Sequence, residues 1–232
     1  MGRERAADVV GDLEAHQDAA ELPKVRSRLA PDEPAIGMRM RDLFAVATTH
    51  RDLPLAEVHV LLDHPAYEPR MAAWCILDLQ ARRGSDHEGR ARRFEVYDGR
   101  HDRITTWDMV DRTAPRVVGG HLAGGPYHRL HEWAGSPVAL ERRTAITAPL
   151  CFVQAGSDAD VDEGLALAAT LARDPDPLVH LAVGTFLKHA GTRDPAAVAS
   201  FLDHHAASMA RPAVRSAASK LDPAVRARFV GR

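Results

Sequence analysis

Trp107 and Asp111 stand four residues apart in the run Trp107-Asp108-Met109-Val110-Asp111. Four residues is one helical turn, so an indole face and a carboxylate share one side of a helix and can meet the same ligand atom. The ring face attracts positive charge and the carboxylate carries the opposite one. A core tryptophan beside a solvated or capping aspartate has the same spacing, and the pattern by itself leaves both readings open. Arg112, Thr113, Ala114, Pro115 and Arg116 follow directly, then the pair Gly119-Gly120 and, further on, Arg142-Arg143.

The elements that must carry these residues are helices. Apolar residues keep helical spacing at Leu55, Val58 and Leu62, at Met71, Trp74 and Cys75, at Ile146, Leu150 and Val153, and at Val161, Leu165 and Ala168. The same spacing recurs at Val198, Phe201 and Leu202 and at Val214, Ala217, Ala218 and Leu221, whereas strand alternation does not recur. Ser136-Pro137, Asp176-Pro177 and Asp194-Pro195 each set a capping side chain before a proline suited to a first helical turn. Helices therefore restart roughly every 15 to 20 residues, joined by short loops. That rhythm predicts an all-α chain, an α-solenoid (superhelix) of two-helix repeats, in preference to a symmetric four-helix bundle. The segment Leu22 to Pro34, with Pro23, Pro31 and Pro34, reads as a linker between an N-terminal helix of about Ala6 to Ala20 and a repeat array of about Ile36 to Leu221. Arg82 to His87 reads as a loop, with Arg90, Arg92 and Arg93 opening the next helix against its dipole.

With 232 residues and 45% hydrophobic content, the chain can bury a substantial core in one domain, 1–232. It contains no apolar run of membrane-spanning length and no apolar signal region after Met1-Gly2-Arg3-Glu4-Arg5, so a cytoplasmic location without membrane association is expected. Cys75 and Cys151 lie far apart in apolar helical patterns and read as buried thiols. The thirteen histidines, among them His128 with His131 and the pair His204-His205, lack the spacing of a zinc site, so no metal is expected. A net charge of -2 excludes binding nucleic acid through bulk positive charge, which leaves local arginine. Lysine occurs only at Lys24, Lys188 and Lys220; the remaining positive charge is guanidinium, which grips phosphate with paired hydrogen bonds.

From about Ile36 to Leu221 the chain resembles the DNA alkylation repair (AlkD-like) family of DNA glycosylases, built from HEAT-like helical repeats. Gly37-Met38-Arg39 with Leu43 is similar to the family's early segment, and Trp107 through Asp111 to its central tryptophan and aspartate motif. Glu132 to Ser136 and Arg142 to Ile146 resemble the segment carrying its active-site arginine. Ala182-Val183-Gly184 through Lys188, with Gly191 to Asp194, resembles the late repeat, and Arg211 to Ala217 the closing helix. Arg41 stands where the family usually has a proline and Leu140 where it has a tryptophan. Thr185 stands where it has a second active-site tryptophan.

The resemblance implies a concave DNA-binding face, duplex DNA containing alkylated purines as partner, no cofactor, a monomer, and excision of purines alkylated at N3 or N7. Such a base is cationic and leaves as a neutral purine. The enzyme's task is then to stabilise positive charge growing on the deoxyribose. Asp111 suits it electrostatically and by orienting water. Trp107 would lie against the sugar, an attraction of about 0.5–2 kcal/mol. By resemblance Arg143 holds a phosphate beside the lesion and Lys188 supplies another basic contact; Arg39, Arg112, Arg116, Arg193, Arg211 and Arg215 are candidates for the remaining DNA surface. The resemblance also implies an exception to base flipping, with the sugar reached from the backbone side. Thr185 removes one wall of the cleft, and Phe186 sits about 100° further round the helix. The consequence is either weaker activity on methyl lesions or room for a bulky adduct, as in self-resistance. Two other functions stay open: a non-catalytic HEAT-like protein that binds damaged or branched DNA, and a scaffold for protein partners.

Overall fold

The computed structural model describes residues 4–83 and 87–231, and among them every regular element is helical. The chain divides into two compact units, one ending at Thr113 and the other beginning at Ala114.

The first unit holds α1 (Ala6–Ala15), α2 (Leu22–Arg26), α3 (Met40–Thr49), α4 (Leu55–Leu62), α5 (Tyr67–Arg82), α6 (His87–Gly99), a 3-10 turn (His101–Arg103) and α7 (Trp107–Ala114), whose last residue opens the second unit. α1 stops short of Ala20. The Asp18 N–H donates to the Gly37 carbonyl at 2.8 Å and the Asp18 carboxylate accepts the Ala20 N–H at 2.9 Å, which turns the chain. The proline-rich segment expected to be a linker contains α2, with Pro23 in its first turn and Val25 buried. Gly84, Ser85 and Asp86, the centre of the expected loop, lie outside the described residues. α6 carries Glu88 in its first turn, paired with Arg92 one turn on, so an acid offsets the arginines at its start.

α5 is the centre of this unit and packs against α1, α3, α4 and α6. It is buried all round from Tyr67 to Asp78, so its polar side chains must find partners inside. Glu68 accepts the backbone N–H groups of Ile36 and Gly37, both at 2.8 Å. Arg70 pairs with Glu33, which also accepts the Thr105 hydroxyl at 2.8 Å. Gly37 has φ +86, and a Cβ there would stand 2.9 Å from the Leu22 Cα, so this turn admits only glycine comfortably.

The second unit holds a π-helical turn (Pro115–Gly119), α8 (Gly120–Leu122), α9 (His128–Ala134), α10 (Ala139–Thr147), α11 (Leu150–Ala155), α12 (Asp158–Thr170), α13 (Pro177–Arg193), α14 (Pro195–His205), α15 (Arg211–Ala217), a 3-10 turn (Ala218–Lys220) and α16 (Pro223–Val230). α13 is its centre, packed against α10, α11, α12, α14 and α15. Asp176 and Asp194 cap as their spacing predicts, accepting the N–H groups of Leu178 and Ala197 at 2.8 Å. Ser136 does not cap α10. Its hydroxyl accepts the Val138 N–H at 3.0 Å, making the turn that precedes the helix.

Cys75 is fully buried, whereas Cys151 is only half-buried, against the expectation for that thiol. Among the described residues no helix is long and apolar enough to cross a membrane.

Candidate functional site

α7 turns Met109, Val110, Thr113 and Ala114 inward and Trp107 and Asp111 outward. The helical spacing therefore brings the ring and the carboxylate onto one exposed face. Trp107 is 41% exposed, whereas Trp74 and Trp133 are at most 1% exposed, so Trp107 is not a core residue.

What holds the first turn of α7 is Asp108, between the two. Its carboxylate accepts the Tyr67 hydroxyl at 2.7 Å and an Arg28 Nη1 hydrogen at 3.2 Å, together with the Thr106 hydroxyl and the Met109 N–H at 3.1 Å. The Arg28 guanidinium also lies 5.8 Å from the centre of the Tyr67 ring. Burial and the Asp108 charge push the Tyr67 hydroxyl far above its ordinary pKa, so it remains a donor. Lower on α7, Thr113 donates to the Trp74 carbonyl at 3.2 Å.

The other arginines of the first unit divide by what they touch. Arg112 stands 3.2 Å from the fully buried Asp78 carboxylate and 4.7 Å from the centre of the Phe44 ring. Burial, opposed by Arg112, pushes the adjacent Cys75 thiol up to about 12. Arg39 is half-exposed, 3.6 Å from Glu21 and 4.0 Å from Asp18.

In the second unit Arg143 is buried and donates to the Leu178 carbonyl in the first turn of α13. Its burial removes it from the surface position that a lone arginine on a helix suggests. Its neighbour Arg142 grips Asp174 with two hydrogen bonds, 2.6 and 3.1 Å, and reaches the Ser136 carbonyl at 2.9 Å. Arg193 donates to the carbonyls of Phe152 and Gly156 at 3.1 and 2.8 Å and to Asp158 at 2.6 Å, clamping the junction of α11 and α12. Arg211 donates to the Phe229 carbonyl at 3.1 Å. Lys188, half-buried on α13, and Arg215, exposed on α15, have no ion-pair partner among the described residues. Thr185 is exposed and its hydroxyl donates to the Leu181 carbonyl at 2.9 Å; Leu181, one turn earlier on the same face, is also exposed. Phe186 is fully buried near Gly164, so it supplies no outward ring in place of the missing indole. Trp107, Asp111, Arg39 and Arg112 thus belong to the first unit, and Arg116, Arg143, Thr185, Lys188, Arg193, Arg211 and Arg215 to the second.

The family model described as DNA alkylation repair enzyme matches residues 9–221. The chain belongs to the DNA alkylation repair enzyme family. Membership gives it a role in DNA repair, as an enzyme that acts on DNA. Among curated proteins, none matches the chain.

Within this member of the family, sequence reading missed the support beneath the motif. Arg28, Tyr67 and Asp108 are separated by 80 and 41 residues, and only packing brings them together. Asp108 alone carried a signal, an acid in the first turn of a helix. A second hidden polar centre is Asp160. It accepts the Gly124 N–H, the Tyr127 hydroxyl and the Ser157 N–H and hydroxyl, all at 2.7 Å. Burial opposes its charge, but these donors prevail and hold its pKa at about 2; the Tyr127 hydroxyl is raised to about 12 by burial and by the same bond. Among the described residues no group of three or more histidine, cysteine or acidic side chains is arranged to hold a metal ion.

Proposed function

We propose that this chain is a monofunctional DNA glycosylase that hydrolyses the N-glycosidic bond of cationic N3- or N7-alkylated purines in duplex DNA. The observation that carries the reading is the outward face of α7, where an exposed indole and an exposed carboxylate sit one turn apart on a helix braced from within.

As the bond from C1′ to the base lengthens, its electron pair goes to the purine, which departs neutral and needs no acid. Positive charge collects on the sugar. Asp111 stabilises that charge and orients a water whose oxygen bonds to C1′ as its proton is released. Trp107 lays its face against the sugar. By family resemblance Arg143 and Lys188 hold phosphates; Arg143 also donates to the Leu178 carbonyl. Lys188 and Arg215 are the favoured DNA contacts, because Arg39 stands beside Glu21 and Asp18, and Arg112, Arg193 and Arg211 are engaged by Asp78, by carbonyls of the α11 to α12 junction and by Phe229; Arg116 stays a candidate by family resemblance.

The test is release of free base from duplex DNA carrying 7-methylguanine, 3-methyladenine or a bulky cationic adduct. Asp111→Asn should lower the rate constant by about 10²–10³. Equal activity of Asp111→Asn and wild type would overturn the assigned mechanism. Thr185 favours a second reading, a DNA-binding protein without catalysis, because no outward aromatic side chain stands at its position. Tight duplex binding with no release from any of the three substrates would establish that reading instead.

A further inference from the structure

Arg28 follows α2, where the buried Val25 and a bond from the Arg28 N–H to the Val25 carbonyl, 3.1 Å, fix its backbone. Its side chain reaches across to α7 and meets Asp108 through one Nη1 hydrogen at 3.2 Å. That is longer than the roughly 2.7–2.9 Å of a strong guanidinium–carboxylate bond. The Asp108 carboxylate is already served by the Tyr67 hydroxyl at 2.7 Å, by the Thr106 hydroxyl and by the Met109 N–H. Arg142 shows the contrast, since it is 14% exposed and closes two bonds on Asp174. Arg28 is 36% exposed, and among the described residues its side chain makes no hydrogen bond or ion pair beyond the one to Asp108. Asp108 and the Tyr67 ring, 5.8 Å away, thus aim the guanidinium from behind and leave its other edge toward solvent. Helix geometry sets where that edge lies. At about 100° per residue, Asp111 stands about 40° and Asp108 about 100° round α7 from Trp107. Asp111 therefore falls between the ring on one flank and the Asp108–Arg28 pair on the other.

We propose that Arg28 is a backbone-phosphate clamp beside the α7 motif: with the sugar against Trp107 and Asp111, the outward edge of the guanidinium takes a phosphate flanking that sugar. A guanidinium offers parallel donors matched to such a group, and Asp108 stands behind it with its charge already met by three other donors. Arg112, on α7 itself, is turned to Asp78 instead. The inference rests on the reading of α7 as the sugar-facing helix, and it assigns a phosphate contact within the first unit to a residue outside the motif.

The probe is a duplex carrying a tetrahydrofuran abasic-site analogue, which offers the sugar without a base to release. Its binding to the full chain is followed by fluorescence anisotropy over a range of salt concentrations. Arg28→Gln should make the slope of log K against log salt shallower by about 0.9, the share of one phosphate. Arg28→Lys should keep the wild-type slope, because the charge is retained, at a lower affinity, because an ammonium lacks the paired donors. The double variant Arg28→Gln/Asp108→Asn should stay as shallow as Arg28→Gln. Recovery of the wild-type slope in that double variant would mean that Arg28 only offsets Asp108, and it overturns the clamp, as does an unchanged slope in Arg28→Gln. Neutral methylphosphonates placed one at a time beside the analogue locate the contact: wild type should lose slope at one of them, and Arg28→Gln should lose nothing further there. Equal losses in both chains at every flanking position overturn the placement. Should Arg28→Gln unfold the protein, Arg28→Lys is run through the same series, where a smaller affinity loss than wild type at one position supports the clamp and equal losses overturn it. Base release is not read, so failure of the glycosylase reading leaves this result standing, and an unchanged slope leaves base release to its own test.

Discussion

Trp107 and Asp111 share the outward face of α7, and the exposure of the ring makes it measurable. Iodide should quench wild-type tryptophan emission through Trp107, since Trp74 and Trp133 are sealed in the core, and Trp107→Phe should abolish nearly all of the quenching. Persistent quenching in that variant would mean that α7 does not present its ring to solvent. Beneath the pair, Tyr67→Phe removes one donor from Asp108 and leaves Arg28 and Thr106 in place. A loss of about 1.5 kcal/mol in urea unfolding is expected, the lower end for a hydrogen bond to a charged group. Both tests read residues whose surroundings the sequence did not disclose. The spacing that put Trp107 and Asp111 on one face was legible, but which way that face turned was not.

At the level of elements, the turn that follows α7 approaches Ala148 and Cys151 closely. Pro115 brings no N–H to the helical ladder, and a π-helical turn begins there. A Cβ on Gly119 would stand 2.2 Å from the Ala148 carbonyl oxygen, whereas one on Gly120 meets nothing within 4 Å. Gly119→Ala should therefore destabilise by about 1–3 kcal/mol through overpacking. Gly120→Ala should be neutral or stabilising by up to about 1 kcal/mol. Equal effects of the two in thermal denaturation would contradict this packing. The N-terminus of α12 supplies a pH test. Asp160 is held at about 2 when folded, below the ordinary aspartate value of about 3.9 in an unfolded chain, so its contribution is complete above about pH 4 and is lost as pH falls through about 2. Asp160→Asn should lower stability at neutral pH and flatten the fall between about pH 4 and 2. The sequence pair Gly119-Gly120 marked the turn without saying which glycine the packing requires, because the answer lies in the carbonyl of Ala148.

For the molecule as a whole, a net charge of -2 means that DNA affinity must come from local cations. Duplex binding measured by anisotropy should weaken steeply with added salt, by about 0.9 in log K per tenfold salt for each phosphate neutralised. A protein that serves only as a scaffold for other proteins would have no such affinity to lose. Much of the fold was legible along the chain, because helical periodicity and the Asp-Pro starts at Asp176 and Asp194 are local properties of backbone and neighbouring side chains. Family membership was legible for the same reason: its motifs are short runs at fixed spacing, and the matched segment covers residues 9–221. Burial and pairing were decided only by tertiary structure. Arg112, Arg142, Arg143 and Arg193 read alike in sequence, yet Asp78, Asp174, the Leu178 carbonyl and the α11 to α12 junction claim them one by one. A guanidinium's partner is set by whichever acceptor packing brings within about 3 Å, and those acceptors lie tens of residues away along the chain.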